Sequence, residues 1–129
     1  MNVKIDTKEK FTVITPVEGH ISANMTGDLL EMLTSCLEKP VPHVILNLAN
    51  VHELDITAAE KIAAIQQQFY EKNCSFVVCA LQEKVELLLD EAALLETMNV
   101  TPTESEAWDI VQMEEVEREL LGDFDESEP

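Results

Sequence analysis

The chain has 129 residues and a formal net charge of −18, with 26 acidic against 8 basic side chains. Length alone predicts one domain, able to bury roughly two-thirds of its unfolded surface without help from a disulfide or a metal. The acidity argues against direct binding to nucleic acid or an anionic membrane, where Lys and Arg must neutralise phosphates. It favours basic partners instead.

Val3, Ile5 and Thr7 alternate with polar residues, and Phe11, Val13 and Thr15 do so again after the polar turn Thr7-Lys8-Glu9-Lys10. This pattern predicts a hairpin of two half-buried strands. Pro16 has no N–H, so the second strand is expected to be exposed or irregular there, and Gly19 to end it. A first helix follows with the stripe Leu29, Leu30, Leu33, Cys36 and Leu37, capped by Asn24 or Thr26 and stopped by Pro40 and Pro42.

His43 to Leu48 has the β-branched density of a buried strand. After it comes the junction His52-Glu53-Leu54-Asp55-Ile56-Thr57-Ala58-Ala59-Glu60, where helical spacing begins with Ala58, Ile62, Ile65 and Phe69. Thr57 and Glu60 fit a T-x-x-E capping box, which predicts Thr57 as the N-cap of a second helix. That helix is expected to reach about Lys72, with Asn73 as a left-handed C-cap. Ser75 to Leu81 forms another unbroken apolar run, as in a strand covered on both faces. A third helix then carries Val85, Leu88, Leu89 and Ala92. Met98 to Val100 could form a short last strand.

Thr103-Glu104-Ser105-Glu106 supplies a second capping box, opening a final helix with Ala107, Ile110 and Val111 inside and Trp108 at the edge of the buried face. From residue 113 the composition turns acidic, and residues 113–129 are expected to be an extension that begins as frayed helix and passes into a disordered acidic end. A hairpin followed by alternating helices and strands implies an α/β domain with right-handed crossovers.

Cys36, Cys74 and Cys79 form an odd set without C-x-x-C, and no apolar leader or membrane span is visible. The expected setting is cytoplasmic, with reduced, buried thiols. Nothing has the spacing of a zinc site, a Gly-rich phosphate loop or a nucleophile elbow, so no metal, cofactor or catalytic residue is expected. A phospho-receiver reading of Asp55 fails because the chain lacks the accompanying acidic pair and the late Lys. His20 and His43 border turns and are read as surface residues.

At the junction the sequence resembles the STAS family, the domain of anti-sigma-factor antagonists, whose hallmark is an Asp-Ser-Ser-Gly turn after a buried strand. Leu54-Asp55-Ile56-Thr57-Ala58 falls on that turn. Asp55 stands on the family's Asp and Thr57 on its phospho-acceptor, while Ile56 replaces the first Ser and Ala58 the Gly. Further support comes from Glu18-Gly19-His20-Ile21, the two apolar strands and Thr103 to Trp108, all in the family's order. Ser22 stands where that family often has Asp. The resemblance spans residues 1–112 and implies a STAS-like single mixed sheet, an N-terminal hairpin plus βα units, with about four helices.

It also implies a phospho-regulated binding module. The expected partner is an anti-sigma factor resembling a histidine kinase, acting as a serine-threonine kinase on Thr57 and bound when Thr57 is unphosphorylated. Asp55, Ile56, Ala58 and Lys61, with Ser22 and Asn24 in the adjacent loop, would form the docking surface of a monomer or weak dimer. The competing expectation is a constitutive scaffold in which Thr57 only caps a helix.

Overall fold

The computed structural model describes residues 1–126, with side chains through residue 121. Strands β1 (Val3–Thr7) and β2 (Thr12–Pro16) pair antiparallel from Val3↔Pro16 to Thr7↔Thr12. A Lys8 N–H to Phe11 carbonyl bond of 2.8 Å closes the turn. After a two-residue strand, β3 (His20–Ile21), a 3-10 turn over Ala23–Met25 leads into α1 (Thr26–Ser35). The chain continues through β4 (Val44–Asn47), β5 (Glu53–Leu54), α2 (Ile56–Glu71), β6 (Phe76–Cys79), α3 (Glu83–Glu91), β7 (Val100–Thr101) and α4 (Glu104–Glu126).

The main sheet is mixed, in the order β1-β2-β4-β6-β7, with parallel pairing from β2 onward. Side chains of a strand alternate between its faces, so the unbroken apolar runs supply two cores at once. Ile14, Val44, Leu46, Phe76 and Val78 meet α1, α2 and α3 on one face. Val13, Ile45, Val77 and Cys79 meet Ala107 and Val111 of α4 on the other. Phe69 and Phe76 pack edge to face at 5.0 Å in the larger core, and Phe11 tilts against Trp108 at 5.2 Å in the smaller. This is the expected α/β architecture, hairpin and four helices included. A separate two-stranded parallel ladder, β3 with β5, stands beside the main sheet.

Several local expectations hold. Ala58, Ile62, Ile65 and Phe69 are buried along α2, and Asn73 adopts φ 61° after its end. The Thr103 hydroxyl accepts the Glu106 N–H at 3.2 Å, so Thr103 caps α4. Trp108 is half-buried, and Cys36, Cys74 and Cys79 are buried free thiols.

Others are corrected. Neither Asn24 nor Thr26 caps α1; the buried Thr26 hydroxyl donates to the Ser22 carbonyl at 3.1 Å instead. Strand β2 ends at Pro16, three residues before Gly19, and Pro16 is buried rather than exposed, lying beyond the last β4 pairing at Ile14↔Leu46. The last strand falls at Val100–Thr101, one to two residues late. His43 is buried, only 8% exposed, because its Nδ1 accepts the Ser75 N–H at 3.0 Å across the β4–β6 entry.

Helix α4 extends past residue 112, into the segment expected to begin as frayed helix. It continues to Glu126, and Glu114 accepts the Tyr70 hydroxyl at 2.9 Å while Arg118 donates to the Ser75 hydroxyl at 2.9 Å. The disorder expected of the extreme C-terminus falls on residues 127–129, outside the described residues.

Candidate functional site

The parallel pairing of β3 with β5 places the junction beside the 20–25 loop. His20 aligns with Glu53 and Ile21 with Leu54. The Gly19 carbonyl accepts the N–H groups of both His52 and Glu53, at 2.7 and 3.1 Å, and the Ile21 carbonyl accepts the Asp55 N–H at 3.0 Å. Leu54 and Ile21 point inward and are buried, which fixes the register. Asp55 then emerges at the end of β5 with extended backbone (φ −72°, ψ 146°), and α2 starts at Ile56.

The N-cap is therefore Asp55, not Thr57. Its carbonyl accepts the first intrahelical bond, from the Ala59 N–H at 3.0 Å. Thr57 is the second helical residue and exposed, so the expected capping box with Glu60 does not form. Helix α2 opens at Ile56, earlier than that box requires, and buries Ala58, Ala59, Ile62, Ile65, Gln66 and Phe69.

The Asp55 side chain does not cap α2 either. Its Oδ2 accepts the Ala23 N–H at 2.9 Å and its Oδ1 lies 2.7 Å from His20 Nε2. The carboxylate thus clasps the 3-10 turn, with its negative charge directed at the loop and not at the Thr57 hydroxyl. The hydrogen bond to Asp55 raises the His20 imidazole above its ordinary 6.5, with the charge of Glu53, 3.4 Å from Nδ1, adding to the effect. Reciprocally, His20 and then the Ala23 N–H hold Asp55 below its ordinary 3.8. Lys84 of α3 reaches Glu53 at 3.3 Å, extending the chain of charges across the surface.

Of the residues expected to meet a partner, the structure brings Asp55, Ser22 and Asn24 together through the Ala23 bond, and the 3-10 turn packs on α2. Ile56 is 43% exposed, an isolated apolar side chain at the helix start. Lys61 is exposed one turn beyond Thr57, and i, i+4 spacing puts the two on one face. Ala58 is 0% exposed and packs into the core, so its side chain is not on the open surface of the isolated domain. Ser22 is half-buried, its carbonyl taken by Met25 and Thr26. Sequence reasoning missed His20, which local pattern leaves as a turn residue 35 positions from the carboxylate it grips.

The profile of the STAS domain matches residues 2–107. The chain belongs to the STAS domain family. Among solved structures, it is similar to an anti-sigma-factor antagonist domain protein from Planctomyces limnophilus, at 15% identity with a TM-score of 0.74, covering 85% of this chain and 97% of that one. An anti-sigma factor antagonist from Mycobacterium paratuberculosis matches at 19% identity and 0.73, covering 86% and 93%. The Bacillus cell fate determinant SpoIIAA in its phosphorylated form matches at 14% and 0.63, covering 85% and 99%. At these identities the likeness is one of fold. No curated protein sequence matches the chain.

The STAS domain is a regulatory, non-catalytic module. Among the described residues no group of three or more His, Cys, Asp or Glu is arranged to hold a metal, and no helix is long and apolar enough to cross a membrane.

Proposed function

We propose that this STAS domain is a phospho-regulated binding module, an anti-sigma-factor antagonist that engages a kinase-like anti-sigma factor while Thr57 is unphosphorylated. The observation that carries the reading is the exposed Thr57 hydroxyl in the first turn of α2, on the family's acceptor position, with Asp55 turned aside to His20 and Ala23. SpoIIAA, of the same fold, is known in unphosphorylated and phosphorylated forms.

The physics of the position supports a switch. The first helical N–H groups of α2 have no side-chain cap. A phosphate on Thr57 would accept from them and gain roughly 0.3–1 kcal/mol from the helix dipole. Lys61, one turn on, supplies a counter-charge. The added charge is about −1.5 to −2, and beyond a Debye length of about 8 Å it is screened, so its action is confined to whatever docks on Ile56, Lys61 and the 22–24 loop. There it opposes binding by bulk and by the desolvation of a charge. A groove between β5 and α3 is lined by Glu53, Leu54, Lys84, Leu87 and Leu88.

The test pairs the chain with the kinase-like anti-sigma factors of its own host. ATP should label Thr57, mapped by mass spectrometry, and calorimetry should give binding for Thr57→Ala at least tenfold tighter than for Thr57→Glu, with unchanged circular dichroism. Equal affinities, or persistent absence of phosphate on Thr57, would instead support a constitutive scaffold.

A further inference from the structure

The outer face of α4 carries an apolar stripe that the domain leaves uncovered. Met113, Val116 and Leu120 are 56%, 53% and 65% exposed. Their 3-4 spacing places them on one side of the helix, roughly opposite Ala107 and Val111, which are buried against the sheet. Helix residues this exposed and apolar at heptad spacing have the form of a coiled-coil seam lacking its second helix. Glu117 flanks the stripe on one side and Glu119 on the other. Arg118 does not offset them at the seam, because it turns inward to Ser75 and Glu114.

We propose that this face docks a basic amphipathic helix of a partner protein, distinct from whatever meets the Thr57 surface. Charge decides among occupants. A second copy of α4 would set Glu117 and Glu119 against their own equivalents, on molecules that each carry −18, and like charges at a seam specify against self-pairing. An anionic lipid surface is repelled for the same reason. Area argues in the same direction. Two turns of stripe fall well short of the ~800 Å² per partner of a stable dimer. The contact therefore depends on electrostatic steering, which a Lys- or Arg-flanked helix supplies and which gives a transient, salt-sensitive complex.

The experiment titrates the full chain with a synthetic helix bearing Leu at a and d and Lys at e and g, beside a peptide of the same composition in scrambled order. Fluorescence anisotropy should show the patterned peptide binding at least tenfold more tightly than the scrambled one. The paired substitutions Val116→Gln and Leu120→Gln should abolish that preference, since both positions are exposed and the fold tolerates the change. Thr57→Glu should leave it unchanged, which separates failure here from failure of the phospho-switch. Equal binding of the two peptides, or a preference that survives the Gln substitutions, would overturn the proposal. So would self-association of the unaltered chain that the same substitutions abolish, since the stripe would then be a dimer seam.

Discussion

At the residue scale two histidines, His20 in the site and His43 at the β4–β6 entry, have environments that push them in opposite directions. His20 is raised above 6.5 by Asp55, so the stability it contributes is present below pH 6.5 and is lost as pH rises through its folded value. His43 is lowered, first by desolvation, with Glu115 opposing and Arg118 assisting. The unfolded chain then binds the extra proton, so what the neutral His43 contributes is present above pH 6.5 and is lost as pH falls toward its folded value. A proton NMR titration should show His43 neutral at a pH where His20 is still charged. Asp55→Ala should bring His20 back toward 6.5, leave His43 unmoved and speed hydrogen exchange at the Ala23 amide. An unshifted His20 in that variant would show that the clasp does not form in solution. None of this was legible in the sequence, because both histidines border turns and their partners lie 35 and 32 residues away.

At the scale of elements the sequence was most informative where burial follows a period. The stripe of α2 appears where periodicity put it, and the two apolar strands where unbroken apolar runs put them, since the runs are covered on both faces. It misled at the helix start, where a local motif stands just inside the true N-terminus. Thr57 and Glu60 have capping-box spacing, but β5 ends at Leu54 and the helix already opens at Ile56, with Asp55 as N-cap and its carboxylate on the Ala23 N–H. Polar residues inside the core were equally hidden. Gln66, 4% exposed, donates to the Phe76 carbonyl at 2.8 Å and accepts the Asn99 N–H at 3.1 Å, fastening α2 to β6 and to the approach to β7. Gln66→Leu leaves these backbone groups without that partner and should cost about 1–3 kcal/mol in urea unfolding; a loss under ~0.5 kcal/mol would mean that the backbone finds other partners. The end of α3 offers the opposite case. Ala93 is exposed at φ 58°, a left-handed conformation that L-residues resist by roughly 1–2 kcal/mol and glycine does not. Allowing for glycine's freedom in the unfolded chain, Ala93→Gly should stabilise by about 0.5–1 kcal/mol, measured as a higher urea midpoint at constant m.

Over the whole molecule, composition suggested a boundary near residue 112, whereas α4 runs through it and bonds back to the domain. Two terms set the stability of a chain cut there. Residues 113–129 carry −7 of the −18, so removing them relieves self-repulsion. The cut also deletes Glu114, the acceptor of the Tyr70 hydroxyl, and Arg118, the donor to Ser75. Burial is the largest influence on the Tyr70 hydroxyl, whose pKa is pushed up to about 12, so that hydroxyl stays protonated and keeps its need for an acceptor. Repulsion is long-ranged and screened by salt, with a Debye length falling from about 30 Å at 0.01 M to about 8 Å at 0.15 M. The two partly buried contacts are screened far less. The truncated chain should therefore come close to the full chain in stability at low salt and fall about 1–3 kcal/mol below it at 0.15 M and above. Trp108 survives the cut and packs on Phe11, so its fluorescence follows unfolding in both chains. If the truncated chain matches the full one at high salt, residues 113–121 lend the fold nothing, and the helix past the boundary exists only to present its outer face.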